Sequence, residues 1–176
     1  LEALTHDSFV GFGPGLNPSG FFVVSEFEAR YNEAATPKKV VRLKLVDARA
    51  DHNHRDFDVK NAINGNPERN DKAWAAGDKT RRPHWARFKL EEPVTFDEEG
   101  GTLTVKIVCR YSDGDAPLGR FRVWTTDSPT PLDLGLLTPK RTREGGREES
   151  KRIINRNVAV RSGGLRAHSW PQQISP

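Results

Sequence analysis

Thr102-Leu-Thr-Val-Lys-Ile-Val-Cys-Arg-Tyr111 is the stretch that decides the fold class of this 176-residue chain. Every second residue in it is apolar, namely Leu103, Val105, Ile107 and Cys109. Successive side chains of a β-strand point to opposite faces of a sheet, so this alternation predicts a strand with one face in a core. Cys109 is accordingly predicted to be a small core residue.

The same alternation occurs on both sides of this stretch and predicts strands at residues 21–30, 41–45, 84–90 and 118–126. The first of these is predicted to place Phe21 and Val23 on its inner face. In the segment 84–90, Ala86 and Phe88 share one face, and the residues between them share the other. These segments are rich in the β-branched and aromatic residues that favour strands.

Turn signals separate the predicted strands, and helical signals are scarce. Asn64-Gly65-Asn66-Pro67 supplies residues that adopt the positive φ of tight turns. Glu99-Gly100-Gly101 predicts a hairpin between a short segment at 93–96 and the strand at 102–111. Only residues 56–63 indicate a helical turn, with Asp56 as its N-cap. Short strands with almost no helix predict an all-β fold, an antiparallel β-sandwich or jelly roll.

Charge divides the chain into two parts. Residues 128–176 contain nine Lys or Arg and four Asp or Glu, whereas residues 1–127 contain 19 bases and 20 acids and have a net charge of −1. The second part also contains Pro129, Pro131 and Pro139. We therefore expect a β-sandwich domain at 1–127, followed at 128–176 by an irregular, basic extension or linker.

Composition excludes several classes of function. A single cysteine allows neither an internal disulfide nor a Cys-x-x-Cys zinc or haem-attachment motif. No apolar run is long enough to cross a membrane, so no membrane partner is expected. Nucleic acid is not expected either, because the basic residues lie in the tail and not in a stripe with interleaved aromatics. The sequence contains no glycine-rich phosphate loop, and no nucleophile or acid–base pair in a recognisable catalytic arrangement. We therefore expect no catalytic activity.

Four segments resemble, in their order and spacing, a galactose-binding-like (discoidin-like) jelly-roll domain of the type embedded in large planctomycete cytochrome-c-type proteins. Gly13-Pro-Gly-Leu-Asn-Pro-Ser-Gly-Phe-Phe-Val-Val-Ser-Glu-Phe-Glu28 resembles the opening strand. Asp58-Val-Lys-Asn-Ala-Ile-Asn-Gly65 with Lys72-Ala-Trp-Ala75 resembles a loop of that family. Arg82-Pro-His-Trp-Ala-Arg-Phe88 resembles a later strand, and Arg110-Tyr111 with Leu118-Gly-Arg-Phe-Arg122 resembles the closing hairpin. The resemblance extends over residues 1–127.

This resemblance implies a module that lies outside the cytoplasm and has sister modules of a parent chain as neighbours. The start at Leu1 and the lack of Met also suggest a piece of a longer polypeptide. A structural calcium ion is implied at Asp58 and Asn64, and no other cofactor is expected. The family has an aspartate where this chain has Asn64, and an amide is a weaker calcium ligand than a carboxylate.

Two tryptophans are the candidate residues for stacking on sugars. Trp85 and Trp124 lie on the strand faces opposite Phe88 and Phe121. An exposed indole can stack on the apolar face of a pyranose ring while a neighbouring arginine donates to hydroxyl groups. The alternative is a tryptophan packed under a loop or against an arginine.

Polar residues near strand ends complete the predicted ligand site: Arg82, His84, Arg87, Asn64 and Asn66. Their donors and acceptors match sugar hydroxyls, and binding residues of sandwiches concentrate on loops. The alternative for His84 is a histidine satisfied by the adjacent loop backbone. The alternative for the asparagines is an ordinary polar turn.

His52-Asn-His54, flanked by Asp51 and Asp56, suggests either a metal site or a solvated polar loop. Trp74 is predicted to plug the core under its loop.

Together the sequence favours a non-catalytic carbohydrate-binding or adhesion module of a larger extracytoplasmic protein. The alternative is a structural or protein-interaction domain that orients neighbouring modules.

Overall fold

A computed structural model describes residues 1–68, 73–77, 81–111 and 115–126, and the backbone of residues 158–160. The elements, in chain order, are β1 Glu2–Leu4, β2 Val23–Val24, β3 Glu26–Glu33, β4 Val41–Leu43, β5 Leu45–Ala50, the 3-10 helix η1 Val59–Ile63, β6 Trp74–Ala75, β7 His84–Leu90, β8 Gly101–Val108, β9 Arg120–Arg122 and β10 Val158–Val160. Apart from β10, the predicted extension at 128–176 lies outside the described residues.

Two four-stranded sheets contain most of the strands. Sheet 1 has the order β5-β7-β1-β9, and all of its neighbours are antiparallel. Sheet 2 has the order β10-β8-β3-β4; β3 is antiparallel to both neighbours, and β10 is parallel to β8. A short antiparallel pair joins β2 to β6. The prediction of a mostly antiparallel all-β fold is therefore confirmed within the described residues.

The two sheets face each other across a shared core. Phe27 of β3 stacks on Phe88 of β7 with ring centroids 4.1 Å apart, which joins the inner faces of the sheets. Ala3, Ala48 and Ala86 line the inner face of sheet 1 and are fully or almost fully buried. Burial of apolar surface between two sheets is the main term that stabilises such a sandwich-like arrangement.

The pairing of β3 with β8 is the longest ladder, with eight paired positions from Glu26–Val108 to Glu33–Gly101. The sequence instead predicts that β8 pairs with residues 93–96. Those residues form no strand, and Phe96 packs edge-on against Tyr31 at 5.9 Å. The predicted local hairpin is wrong because β3 and β10 pair with the two edges of β8. The residue before β8, Gly100, does have the positive φ of 77° that its turn requires.

The predicted strand at 21–30 is split at Ser25, and its two halves join different sheets. Ser25 is fully buried; its N–H donates to the carbonyl of Val108, and its hydroxyl accepts from the Arg110 N–H at 3.0 Å. These hydrogen bonds fix an irregular backbone conformation at Ser25, which interrupts the alternation of inward and outward side chains. As a result Phe22, at 1% exposure, is the buried aromatic, and Phe21 is only half-buried.

The predicted helical turn is confirmed as η1, but Asp58 caps it, not Asp56: the Asp58 carboxylate accepts the Lys60 N–H at 2.9 Å. Trp74 is confirmed as a core residue. Its ring is fully buried and packs edge-on against Phe22 at 5.0 Å, and its indole N–H donates to the His52 carbonyl.

Cys109 packs against the core, as its position in the alternation predicts. Burial raises the pKa of the Cys109 thiol, and a hydrogen bond with the Leu118 backbone offsets only part of that effect.

We expect Phe27→Ala to lower the free energy of unfolding by about 3–5 kcal/mol, because it removes the ring that joins the two sheets. Chemical denaturation measures the change. Val40→Ala, at an exposed position, is the control and should change stability by less than about 0.5 kcal/mol. Equal effects of the two variants would contradict the described core.

We also expect Cys109 to react with a thiol reagent much more slowly in the folded protein than in denaturant. The thiolate is the reactive form, and the raised pKa keeps its population low. Because this is the single cysteine, the absorbance released by the reagent reports on it alone. A native rate close to the denatured rate would show that Cys109 is not in the core.

Candidate functional site

The outer face of sheet 1 brings both candidate tryptophans together. The inward alternation of Ala86 and Phe88 in β7 leaves Trp85 and Arg87 on the outer face. In the register of the sheet, Glu2 of β1 lies directly opposite Trp85 on one side and Arg122 of β9 on the other. Trp124 follows Arg122 by two residues. We call this surface, made of Glu2, Trp85, Arg87, Arg122 and Trp124, the tryptophan face.

Glu2 lies at the centre of the tryptophan face and orients Trp124. Its carboxylate accepts a 2.7 Å hydrogen bond from the Trp124 indole N–H. The same oxygen lies 3.5 Å from a guanidinium nitrogen of Arg122. The Arg122 guanidinium carbon lies 5.2 Å from the centre of the Trp124 ring, within range of a cation–π interaction. These contacts hold the half-buried indole in one orientation.

Trp85 is held through its backbone. Its N–H donates to the Asp51 carboxylate at 2.9 Å, and the side chain is half-buried on the outer face. Within the described residues, the Trp85 indole N–H makes no hydrogen bond. Its ring edge and N–H are therefore available to a ligand that lies against the sheet.

Two arginines adjoin Trp85 on the same surface. Arg87 lies directly opposite Arg49 of β5 in the register. Both approach the same oxygen of Asp47, at 3.6 Å from Arg87 and 3.3 Å from Arg49. Arg87 thus shares the outer face of β7 with Trp85, as the alternation predicts, and a second arginine that the sequence did not indicate, Arg49, lies opposite it.

His84 lies on the inner side of β7, away from Trp85. Its side chain is fully buried, and Nδ1 lies 2.9 Å from the second oxygen of Asp51. His84 and Trp85 are therefore both bound to one carboxylate but face opposite ways. Arg82 is exposed at the entrance to β7, 3.5 Å from the same Asp51 oxygen.

The ionisation of Asp51 is tied to this cluster. Burial alone raises the pKa of its carboxyl, but the hydrogen bonds with His84 and the Trp85 N–H, together with the charges of His84 and Arg82, bring it below the ordinary value. The ionised carboxylate is the form that accepts the bonds on both sides of β7. Asp51 thus positions the strand end that carries Trp85.

Asn64 and Asn66 are not on the tryptophan face. Asn64 ends η1, and its side-chain oxygen accepts the Asn66 N–H at 2.7 Å; the Asn66 side chain accepts the Glu68 N–H at 3.3 Å. Both side chains therefore form turns of their own loop, which corresponds to the polar-turn alternative.

The two residues of the expected calcium site stand at opposite ends of η1. The five residues of η1 lie between them, so Asp58 and Asn64 are six residue steps apart, roughly 12 Å along an ideal 3-10 helix with a rise of about 2 Å per residue. Each of the two side chains accepts a backbone N–H of its own turn, from Lys60 to Asp58 and from Asn66 to Asn64, and the calcium site stays a prediction. Within the described ranges, no group of three or more His, Cys, Asp or Glu side chains could hold a metal ion.

His52 and His54, the other metal candidates, contact aromatic rings. The His52 ring lies 6.0 Å from the His84 ring, and the His54 ring lies 5.9 Å from Phe57 and 6.4 Å from Phe21. The His54 N–H also donates to the Ala75 carbonyl. Both histidines thus belong to the packing of the loop over β6.

An open cleft of about 290 Å³ separates η1 from β3 and the β4–β5 corner. Two buried glutamates line it. Glu26 accepts the Gly65 N–H at 3.2 Å, and Glu28 pairs with Lys106 and Arg30, each at 2.9 Å. The Lys106 hydrogen bond, assisted by Arg30, holds the pKa of Glu28 below its usual value despite burial. These carboxylates are thus engaged in holding the loop and the sheet.

No family model, curated protein or solved structure matches this chain. No helix in the described part of the chain has the length and apolarity needed to span a membrane.

Sequence patterns could have located some of these residues and not others. The alternation that puts Ala86 and Phe88 inside also puts His84 inside, so its burial could have been foreseen. Glu2 and Arg49 were missed. Glu2 lies in a three-residue strand, which is too short to show a period, and Arg49 lies beyond a register shift between Leu45 and Asp47.

We expect Asp51→Asn to reduce stability at neutral pH and to weaken its dependence on acid. Because the pKa of Asp51 is lowered on folding, its contribution is complete above the unfolded value of about 3.9 and is lost as the pH falls through the folded value. Urea denaturation between about pH 3 and 7 measures the effect.

The control for this variant is Glu91→Gln, which removes an exposed ion pair with Lys44 and should change stability little. If Asp51→Asn retains the full acid dependence of the wild type, then Asp51 does not form the charged cluster described above.

Proposed function

We propose that this chain is a non-catalytic carbohydrate-binding domain of galactose-binding-like, jelly-roll type and that the tryptophan face is its glycan site. One observation carries the proposal: Trp85 and Trp124 lie on the same outer face of one sheet, with a carboxylate and two arginines between and beside them. Aromatic rings flanked by planar, multidentate donors are the groups that recognise pyranose rings and their hydroxyls.

The spacing of the face favours a chain of sugars over a single one. Trp85 and Arg122 are two strands apart, about 10 Å at the usual strand separation, and Trp124 lies two residues beyond the end of β9. A ligand that touches both indoles must therefore extend along the sheet. Glu2 fixes Trp124 before a ligand arrives, which reduces the ordering cost of binding.

The proposal assigns different roles to the predicted site residues. Trp85, Trp124 and Arg87 contact the ligand, and Arg82 adjoins the face at the start of β7. His84 acts from the inner side, because it holds the carboxylate that also binds the Trp85 backbone. Asn64 and Asn66 take no part. An extracytoplasmic location beside sister modules belongs to the same proposal and is supported only by the resemblance described for the sequence.

We expect Trp85→Ala to weaken binding to a recognised polysaccharide by at least about fivefold, or roughly 1 kcal/mol, because it removes one of two stacking surfaces. Trp124→Ala should have a similar effect. A panel of polysaccharides immobilised in native gels gives the binding, and calorimetry on those that retard the protein gives the affinity.

Phe12→Ala is the matched control, because Phe12 is an aromatic residue, 54% exposed, on the loop before β2. Its removal should leave binding unchanged. If no polysaccharide retards the protein in the gel, or if binding persists when both tryptophans are replaced by alanine, then the tryptophan face is not a glycan site.

A second candidate function, a protein-interaction domain, is favoured by the loop that precedes β2. Val10, Phe12 and Leu16 are each more than half exposed on it. Backbone bonds from Leu16 to Pro117 and from Gly119 to Pro14 tie the loop to the segment before β9. If this function holds, a Phe12→Ser and Leu16→Ser double variant will lose an association that sedimentation velocity detects in the wild type, either with itself or with domains encoded beside it.

A further inference from the structure

The part of the outer face next to Trp85 has an excess of positive charge. Arg49, Arg87 and Lys89 surround Asp47 in the register of β5 and β7, with Arg49 opposite Arg87 and Lys89 opposite Asp47. Three cations therefore lie around one carboxylate, and the two arginines are within 4 Å of it. By contrast, residues 1–127 as a whole have a net charge of −1.

Arg49 and Arg87 are a like-charge pair placed directly across two strands, an arrangement that destabilises a sheet unless an anion compensates it. Asp47 compensates only in part, since both guanidinium groups approach the same one of its oxygens. Each guanidinium carries five N–H donors. Most of these donors are not used by Asp47, and Arg49 is 68% exposed.

Arg122, the other arginine of the tryptophan face, also has more N–H donors than acceptors around it. Arg122 lies 3.5 Å from Glu2, but the oxygen it approaches already accepts the indole N–H of Trp124. Arg122 is also 50% exposed. A ligand that brings its own anionic groups would thus find guanidinium donors beside both indoles.

From this arrangement we propose that the ligand of the tryptophan face is an anionic polysaccharide whose sugar rings carry carboxylate or sulfate groups. The inference rests on the proposed carbohydrate-binding function and specifies its ligand class. Guanidinium groups bind carboxylate and sulfate oxygens in pairs of parallel hydrogen bonds, and such charge-assisted bonds are stronger than those to neutral hydroxyls.

The spacing along β7 suits such a ligand. Trp85 and Arg87 are two residues apart on one face, about 7 Å along the strand. A ring stacked on the Trp85 indole therefore places a substituent within reach of Arg87 and, across the ladder, of Arg49. Stacking would supply affinity for the ring, and the arginines would select rings that carry an anion.

The test compares polymers that share a backbone but differ in charge. Polygalacturonate is compared with its highly methyl-esterified form, and dextran sulfate with dextran, which separates carboxylate from sulfate recognition. We expect at least one anionic polymer to bind about tenfold more tightly than its neutral match at low salt, with the difference shrinking as salt is added.

Variants separate the two contributions. An Arg49→Gln and Arg87→Gln double variant should weaken binding to the anionic polymer far more than binding to the neutral match, so that most of the preference for the anionic polymer is lost. Trp85→Ala should weaken both. A Lys38→Gln and Lys39→Gln double variant removes the same charge from the exposed β3–β4 loop and should keep the preference.

Several outcomes would overturn the inference. Equal affinity for charged and neutral polymers would refute anion selection and leave the glycan site standing. Equal loss in the lysine control would show that net charge alone is responsible. If single-stranded oligonucleotides bind more tightly than any polysaccharide at the same salt, the ligand of the tryptophan face is a nucleic acid and not an anionic polysaccharide. Binding of no polysaccharide at all would refute the proposed function itself.

Discussion

The stacked rings of Phe27 and Phe88 join the two sheets, and the direction of every side chain in β7 follows from that contact. Side chains alternate along a strand, so an inward Phe88 requires an inward Ala86 and an outward Arg87 and Trp85. A shift of one residue in this strand would bury the arginine and expose the core. The packing of the interior therefore determines which residues the outer face presents.

Two carboxylates then convert a strand surface into a defined site. Asp51 is bound on one side by buried His84 and on the other by the Trp85 backbone, so the end of β7 is anchored from inside the protein. Glu2 orients Trp124 from the outer side. The two indoles are thus held by separate interactions on opposite sides of β1. These contacts of Asp51 and Glu2 keep the residues of a shallow site in their binding geometry in the absence of a ligand.

The sequence was sufficient to predict those features that depend on the two-residue alternation of side chains within one segment. Alternation predicted the all-β class, the packing of Cys109 against the core and the shared face of Trp85 and Arg87. It could not predict features that depend on which strands pair, because pairing joins distant residues through a register that no local pattern encodes. The division at Ser25 and the position of Glu2 between β7 and β9 are of this kind. For the same reason, the two tryptophans could be proposed from the sequence but not placed on one face of the same sheet.

The most direct test of the glycan site uses the indole N–H signals of the tryptophans in an NMR titration with a bound polysaccharide fragment. Trp85 and Trp124 lie on the outer face, whereas Trp74 is fully buried and bonded to the His52 carbonyl. We expect the signals of Trp85 and Trp124 to shift together with one affinity and the signal of Trp74 to stay in place. Saturable binding that leaves both outer signals unmoved would contradict it.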